Sequence, residues 1–270
     1  MATAALIPEP DVGRIRPPSM LLALTELPRA IAEWSSLAVT MGTLLATAPR
    51  GDGHPVLVLP GFMTSDASTR VLRRFLKALG YDAHSWNLGR NLGPRAIGQQ
   101  GEKLIERLRE VHEMTGQKVS LVGWSLGGVM ARLLAKRAPD AIRQVITLGS
   151  PFNGSPKSSN VWRLYEYMSG TSVDGQHTQS MIADIAARPA VPATAIYTKG
   201  DGVVAWQTCR EDESDLSESI EVHGSHCGLG VNPSVLSAVA DRLAQKPGAW
   251  RRFDCKAVKH GWMYPHAARG

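Results

Sequence analysis

Val122-Gly-Trp-Ser-Leu-Gly-Gly128 is the stretch on which the fold turns. Upstream of it, Lys118-Val-Ser-Leu-Val122 is a short apolar run of the kind found in strands buried on both faces. Downstream, Leu126-Gly-Gly-Val-Met-Ala-Arg-Leu-Leu-Ala-Lys136 carries the periodicity of a helix. A strand that passes into a helix this abruptly needs a tight turn, and Gly123, Gly127 and Gly128 remove the Cβ atoms that would collide there. A G-x-S-x-G match is weak by itself, because glycine and serine are common. Strand, sharp turn and helix together are the context in which such a turn exposes a serine hydroxyl on strained backbone. Ser125 is therefore the candidate nucleophile.

The same alternation of short apolar runs and longer helical periods continues on both sides. Strands are expected at 55–59, 81–86, 119–122, 145–148, 193–198 and 219–222, with helices at 68–79, 95–115, 126–137 and 233–244. The sum is an α/β fold: a doubly wound, mostly parallel sheet of about six strands with helices on both faces. Residues 152–192 break the rhythm with Gly- and Ser-rich turns around two short helical pieces, 161–168 and 179–187, and read as a small helical cap. The expected organisation is an N-terminal helical extension over 1–53, a core over 54–245 and a tail over 246–270.

Composition narrows the class. A chain of 270 residues with 43% hydrophobic and 20% charged residues can bury a full core. Most of its net charge of +6 sits in the tail, where Lys246, Arg251, Arg252, Lys256, Lys259 and Arg269 face Asp254 alone. With the body nearly neutral and no helix–turn–helix, zinc-finger or RNA-binding signature, no nucleic-acid partner is expected. Trp250, Trp262 and Tyr264 could place the tail on an acidic membrane surface, although packing of those rings on the body is the simpler reading. Glu26, Pro28, Arg29 and Glu33 interrupt the apolar segment 21–47, which reads as one or two amphipathic helices rather than a span. Prolines and acids stand near the N-terminus where a signal peptide would have a basic start and an apolar run, so a cytoplasmic location is expected, with peripheral membrane contact left open. Cys209, Cys227 and Cys255 offer neither a disulfide framework nor metal-ligand spacing; free thiols are expected, with a Cys209–Cys227 bridge as the alternative.

A serine hydroxyl needs a base within hydrogen-bond reach and an acid to orient that base. In this architecture the acid precedes the histidine, and both follow the nucleophile at strand ends. Asp201 follows the strand at 193–198, and His226 follows the next. Asp174 and Asp184 fall in the cap, Asp212 and Asp215 in an acidic run expected to be a solvated loop. His223 is placed within a strand; His54, His84 and His112 precede the serine; His177, His260 and His266 lie in the cap and tail. Two backbone N–H donors should stabilise a developing oxyanion: Leu126, at the start of its helix, and Phe62, in the loop Leu59-Pro-Gly-Phe-Met63 after the first strand. Met63, Trp124 and Trp206, with Trp162, Tyr165 and Met168 from the cap, are the candidate pocket residues and favour an apolar acyl group.

HPVLVLPGF (54–62), VGWSLGG, YTKGDGVV (197–204) and GSHCGLG (224–230), in this order, make the chain resemble the α/β-hydrolase superfamily, in particular its bacterial lipases and esterases. The resemblance runs from about residue 54 to 244. It implies Ser125 as nucleophile, His226 as base, Asp201 as orienting acid and Phe62 with Leu126 as oxyanion hole, acting on a small-molecule or lipid ester with no metal or organic cofactor. The expected function is a serine carboxylic-ester hydrolase working through an acyl-enzyme. Acyl transfer to an alcohol on the same residues, and a non-catalytic binding protein on this fold, are the alternatives.

Overall fold

In the computed structural model the described residues are 15–265 except Thr171, and the side chains of residues 176–179 are not described. The described residues open with helices α1 (Met20–Leu24) and α2 (Glu26–Thr47), then alternate strand and helix: β1 (Pro55–Leu59), α3 (Arg70–Ala78), β2 (Asp82–Ser85), α4 (Pro94–Ile97), α5 (Glu102–Thr115), β3 (Val119–Trp124), α6 (Leu126–Arg137) and β4 (Ile142–Leu148). Helices α7 (Trp162–Ser169) and α8 (Gln176–Ala186) follow, then β5 (Ala193–Tyr197), β6 (Ser217–Glu221) and α9 (Pro233–Leu243).

All six strands are parallel, in the order β2-β1-β3-β4-β5-β6. The sheet is therefore the doubly wound one that the alternation predicts. The direction of winding reverses between β1 and β3, and in such sheets the carboxyl ends beside the reversal frame a crevice. Register aligns those ends: Leu59 pairs with Gly123, Trp124 with Leu148, Leu148 with Ile196 and Tyr197 with Glu221. The loops that follow consequently start at one edge.

Two cores flank the sheet. On one face Leu37 and Leu44 of α2, Leu72, Phe75 and Leu76 of α3, and the buried side of α9 pack on Val56, Val58 and Val122. On the other, α5 and α6 close over Leu57, Leu59, Leu121 and Val145, and Met181 and Ile185 of α8 join them. The outward face of α1–α2 exposes Leu24, Leu27, Ile31 and Trp34 at helical spacing. Among the described residues no helix is long and apolar enough to cross a membrane. In the C-terminal segment Phe253 and Tyr264 pack together and Tyr264 donates to the carbonyl of Ser234 at 2.8 Å, while Trp262 is exposed.

Two elements of the fold depart from the sequence reading. The helix expected over 95–115 is split, because Gly98 and Gly101 adopt φ of +89° and +80°, which a helix cannot contain. The acidic run 211–218 is not a solvated loop throughout: Glu211 and Glu218 are buried. Glu211 pairs with the fully buried guanidinium of Arg132, whose other donors cap α8 at the carbonyls of Ile185 (2.8 Å), Ala186 and Ala187. Glu218 pairs with Arg242 of α9 at 2.8 Å. These acids are counter-charges for arginines far away in sequence. Breaking the first pair with Arg132→Met strands a buried carboxylate and is expected to remove about 3–5 kcal/mol of stability, read as a fall in the urea midpoint. Adding Glu211→Leu should recover most of that loss; a double variant no more stable than the single one would refute the pairing argument.

Candidate active site

Ser125 sits between β3 and α6 with φ 54° and ψ −122°, a conformation that side-chain-bearing residues avoid. Crowding enforces it. A Cβ on Gly123 would overlap the backbone of Gly127 and Gly128, and one on Gly127 would overlap the carbonyl oxygens of Leu59 and Pro60 at the end of β1. The Ser125 N–H donates to the carbonyl of Leu148 at 2.8 Å, which ties the turn to β4.

Around that serine the loops after β5 and β6 bring two of the other expected residues. His226 Nε2 lies 3.0 Å from Ser125 Oγ, and its Nδ1 lies 2.6 Å from Asp201 Oδ2. Asp201 Oδ1 accepts the N–H groups of Val203 and Val204, both at 2.8 Å, so the carboxylate is held from both sides. Asp201 and His226 are buried, and Ser125 is partly open to solvent. Burial alone pushes the imidazole of His226 down. The charge and hydrogen bond of Asp201, with the Glu26 carboxylate, outweigh it and leave the group above its ordinary 6.5.

The two expected N–H donors flank the serine. Leu126 opens α6, and a Cβ built on Gly61 would stand 3.4 Å from that of Ser125, so the Phe62 loop abuts it. Among the described residues neither the Phe62 nor the Leu126 N–H has a hydrogen-bond partner. Asn91, buried and unremarked in the sequence, shapes that loop: its side-chain amide donates to the Pro60 carbonyl at 2.8 Å and its backbone carbonyl accepts the Met63 N–H at 2.8 Å. Met63 consequently has φ 60°.

The expected pocket residues are only partly gathered. Tyr165 of α7 packs on Phe62, ring centroids 5.4 Å apart, and with Leu126, Val129, Met130, Met181 and Ile185 it lines a cavity of about 50 Å³. Trp124 lies under the histidine loop instead, donating to the His226 carbonyl at 3.1 Å. Trp162 carries the cations of Lys157 and Arg163 over its ring at 5.6 and 5.2 Å from the centroid, and Met168 is half-buried on α7. Trp206 stacks on Tyr197 in a separate small cluster. A groove of about 500 Å³ lined by Lys118, Arg143, Gln144 and Trp250 lies at the opposite, amino-terminal end of the strands.

Other polar residues resolve simply. Cys209, Cys227 and Cys255 are free thiols. Burial, helped by the Glu26 charge, pushes Cys227 up to about 12, and burial raises Cys209 as well, so neither supplies a thiolate near neutrality. Among the described residues no three His, Cys, Asp or Glu side chains are grouped as a metal would require. His223, expected within a strand, is instead exposed just beyond β6, which ends at Glu221, and His266 lies outside the described residues. Sequence reasoning missed Glu26, Arg29 and Glu33 of α2, which reach the loops of Asp201 and His226. Their spacing of three and four, on the same stripe as Ala30 and Leu37, was the available signal.

Comparison with known proteins agrees with this architecture. Residues 98–187, which include Ser125 but neither Asp201 nor His226, match the model of the PGAP1-like alpha/beta domain. A triacylglycerol lipase of Burkholderia plantarii is 26% identical over 210 residues, 69% of this chain and 59% of that protein. One from Pseudarthrobacter phenanthrenivorans is 27% identical over 169 residues, 54% of this chain and 53% of that protein. The chain thus spans little more than half the length of these relatives. Among solved structures, lipase B of Aspergillus fumigatus superposes with a TM-score of 0.60 at 18% identity, covering 78% of this chain and 57% of that one. Sequence likeness and strand order point the same way, and the chain is a lipase- and esterase-like protein of the α/β-hydrolase fold.

Proposed function

We propose that the protein is a serine carboxylic-ester hydrolase acting on neutral esters with an apolar acyl group. The observation that carries this reading is the continuous relay from Ser125 Oγ through His226 to Asp201, at 3.0 and 2.6 Å, on a strained turn that holds the serine hydroxyl partly open to solvent. Names of the relatives, triacylglycerol lipases, support the ester class.

His226 Nε2 takes the Ser125 proton as Oγ attacks the ester carbonyl carbon. The N–H groups of Phe62 and Leu126 hold the oxyanion, the second at the positive end of α6. Collapse of the tetrahedral intermediate breaks the carbon–oxygen bond to the alcohol, which leaves with the proton from His226. Water, deprotonated by His226, then attacks the acyl-serine; the bond from the acyl carbon to Ser125 Oγ breaks, His226 returns the proton to Oγ, and the acid leaves. Asp201 holds the imidazole through Nδ1, so that Nε2 faces the serine. Tyr165 and the cavity beside Leu126 would receive the acyl chain. Transfer to an alcohol would use the same intermediate, and no feature of the site calls for it.

Hydrolysis of p-nitrophenyl esters from acetyl to palmitoyl tests the proposal. Ser125→Ala is expected to lower turnover by about 10⁴-fold or more, and residual rates equal to wild type would put the non-catalytic reading first. The pH profile carries a second expectation. His226 must be neutral to act as base and its folded value is raised, so kcat/KM should climb with an inflection above 6.5. A rate that is flat between pH 5 and pH 8 would remove His226 from the role.

A further inference from the structure

The helix that precedes the sheet has its polarity inverted near the site. Leu27, Ile31 and Trp34 face solvent, while Glu26 and Glu33 turn inward. Glu26, 4% exposed, accepts the N–H of Gly202 at 2.7 Å and of His226 at 3.1 Å on Oε1, and the N–H of Cys227 at 2.8 Å on Oε2. Two turns on, Glu33 accepts the N–H and hydroxyl of Ser225 at 2.7 and 2.6 Å and the side-chain amide of Asn232 at 2.8 Å. Between them Arg29 pairs with Glu26 at 3.0 Å and donates to the carbonyls of Gly200 and Gly224. Every backbone N–H from 225 to 227 thus ends on a carboxylate of α2, and so does the one directly after Asp201.

Close approach makes this contact selective. A Cβ on Gly202 would meet the backbone of Leu22 at 2.5 Å, and one on Gly228 would overlap the Glu33 carboxylate. Gly202 of YTKGDGVV and Gly228 of GSHCGLG are thereby explained by the N-terminal helices pressed on them, α1 at the first and α2 at the second. A buried carboxylate is unfavourable unless several donors surround it. Glu26 has three backbone donors and a guanidinium, the environment of a built acceptor.

We propose that Glu26 is a positioning residue for the Ser125–His226–Asp201 relay, with Arg29 and Glu33 completing a clamp that α2 closes on the acid and base loops. The inference rests on the serine-hydrolase reading above. Glu26 fixes the backbone of His226 directly, and its charge is the second carboxylate, after Asp201, that favours the imidazolium formed during each turnover. The charges acting on that imidazole are Asp201 from the β5 loop and Glu26 from α2; Arg29 and Glu33 of α2 hold the surrounding loop backbone, and Cys227 is its chain neighbour.

Three full-length variants, Glu26→Gln, Glu26→Asp and Glu33→Gln, separate charge from reach. Each is assayed beside wild type and Ser125→Ala by p-nitrophenyl butyrate hydrolysis, by fluorophosphonate labelling of Ser125 across pH, and by NMR titration of the His226 imidazole assigned with His226→Gln. Glu26→Gln is expected to lower kcat about tenfold with KM nearly unchanged. It should also move the labelling midpoint and the imidazole titration to lower pH by about half a unit or more. Glu26→Asp keeps the charge but is one methylene short, so kcat should fall while the midpoint moves less; it decides the matter if Glu26→Gln does not fold. Glu33→Gln should lower kcat and leave the midpoint in place. Folded Glu26 variants with wild-type kcat and wild-type titration would overturn the clamp. A wild-type protein that neither hydrolyses nor labels would instead overturn the hydrolase reading, and the imidazole titration would still report whether Glu26 acts on His226.

Discussion

The site depends on how closely three pieces of backbone approach at the start of α6. The end of β1, the end of β3 and the first turn of α6 meet with no room for a side chain at Gly123 or Gly127. Only at that distance must the chain reverse within one residue, and the residue that does so is Ser125. Its positive φ follows from the packing, and the exposed hydroxyl follows from the φ. The same approach sets the Phe62 loop against the serine and leaves the Leu126 N–H without a carbonyl to bond. Nucleophile and anion-holding donors are thus products of one steric constraint, and the cost of the strained turn is spread over the two cores that press the elements together.

What could be read from the sequence followed from how each feature is encoded. Strands buried on both faces appear as runs such as PVLVL and ATAIY, so their positions were legible to within a few residues. Asp201 and His226 could be placed because each follows such a run at the edge where the loops gather. Helix α2 was legible as a helix and not as part of the site. Periodicity shows that positions 26, 30, 33 and 37 share a face, but it does not say which face is turned inward. The usual assumption, apolar side in, assigns it backwards where the neighbours are loops rich in unpaired N–H groups. The acidic run was misread for a related reason: Glu211 and Glu218 answer Arg132 and Arg242, and nothing local in the sequence records that pairing.

A second Ser–His–Asp set shows how little the three side chains mean without their surroundings. At the amino-terminal end of the strands His54 bonds Ser120 Oγ at 2.8 Å through one ring nitrogen and Asp52 through the other. Ser120 lies near the start of β3 in ordinary extended backbone paired on both sides and is fully buried, so no substrate can reach it. The electrostatics also run the other way. Burial, together with the nearby Arg143, drives the His54 imidazole below its ordinary value despite Asp52, whereas His226 is raised. One set is a structural hydrogen-bond chain; only the other has access, strain and a base favoured to take a proton.

The contact between α2 and the two loops answers a need that the sheet cannot meet. Beyond the carboxyl ends of β5 and β6 the chain leaves the ladder, and the N–H groups of Gly202, Ser225, His226 and Cys227 are buried without strand partners. Water would satisfy them but would leave the loops free to move the imidazole away from Ser125. A carboxylate offers two oxygens and several lone pairs, and charge-assisted bonds to it are stronger than those to a carbonyl. Two glutamates seven residues apart on a helix stand about 10 Å from each other, enough to reach from the Asp201 loop to the far end of the His226 loop with one rigid element. An amide at either position would present one acceptor oxygen and an unwanted donor, so the same fold could be kept while the alignment of acid, base and serine loosened.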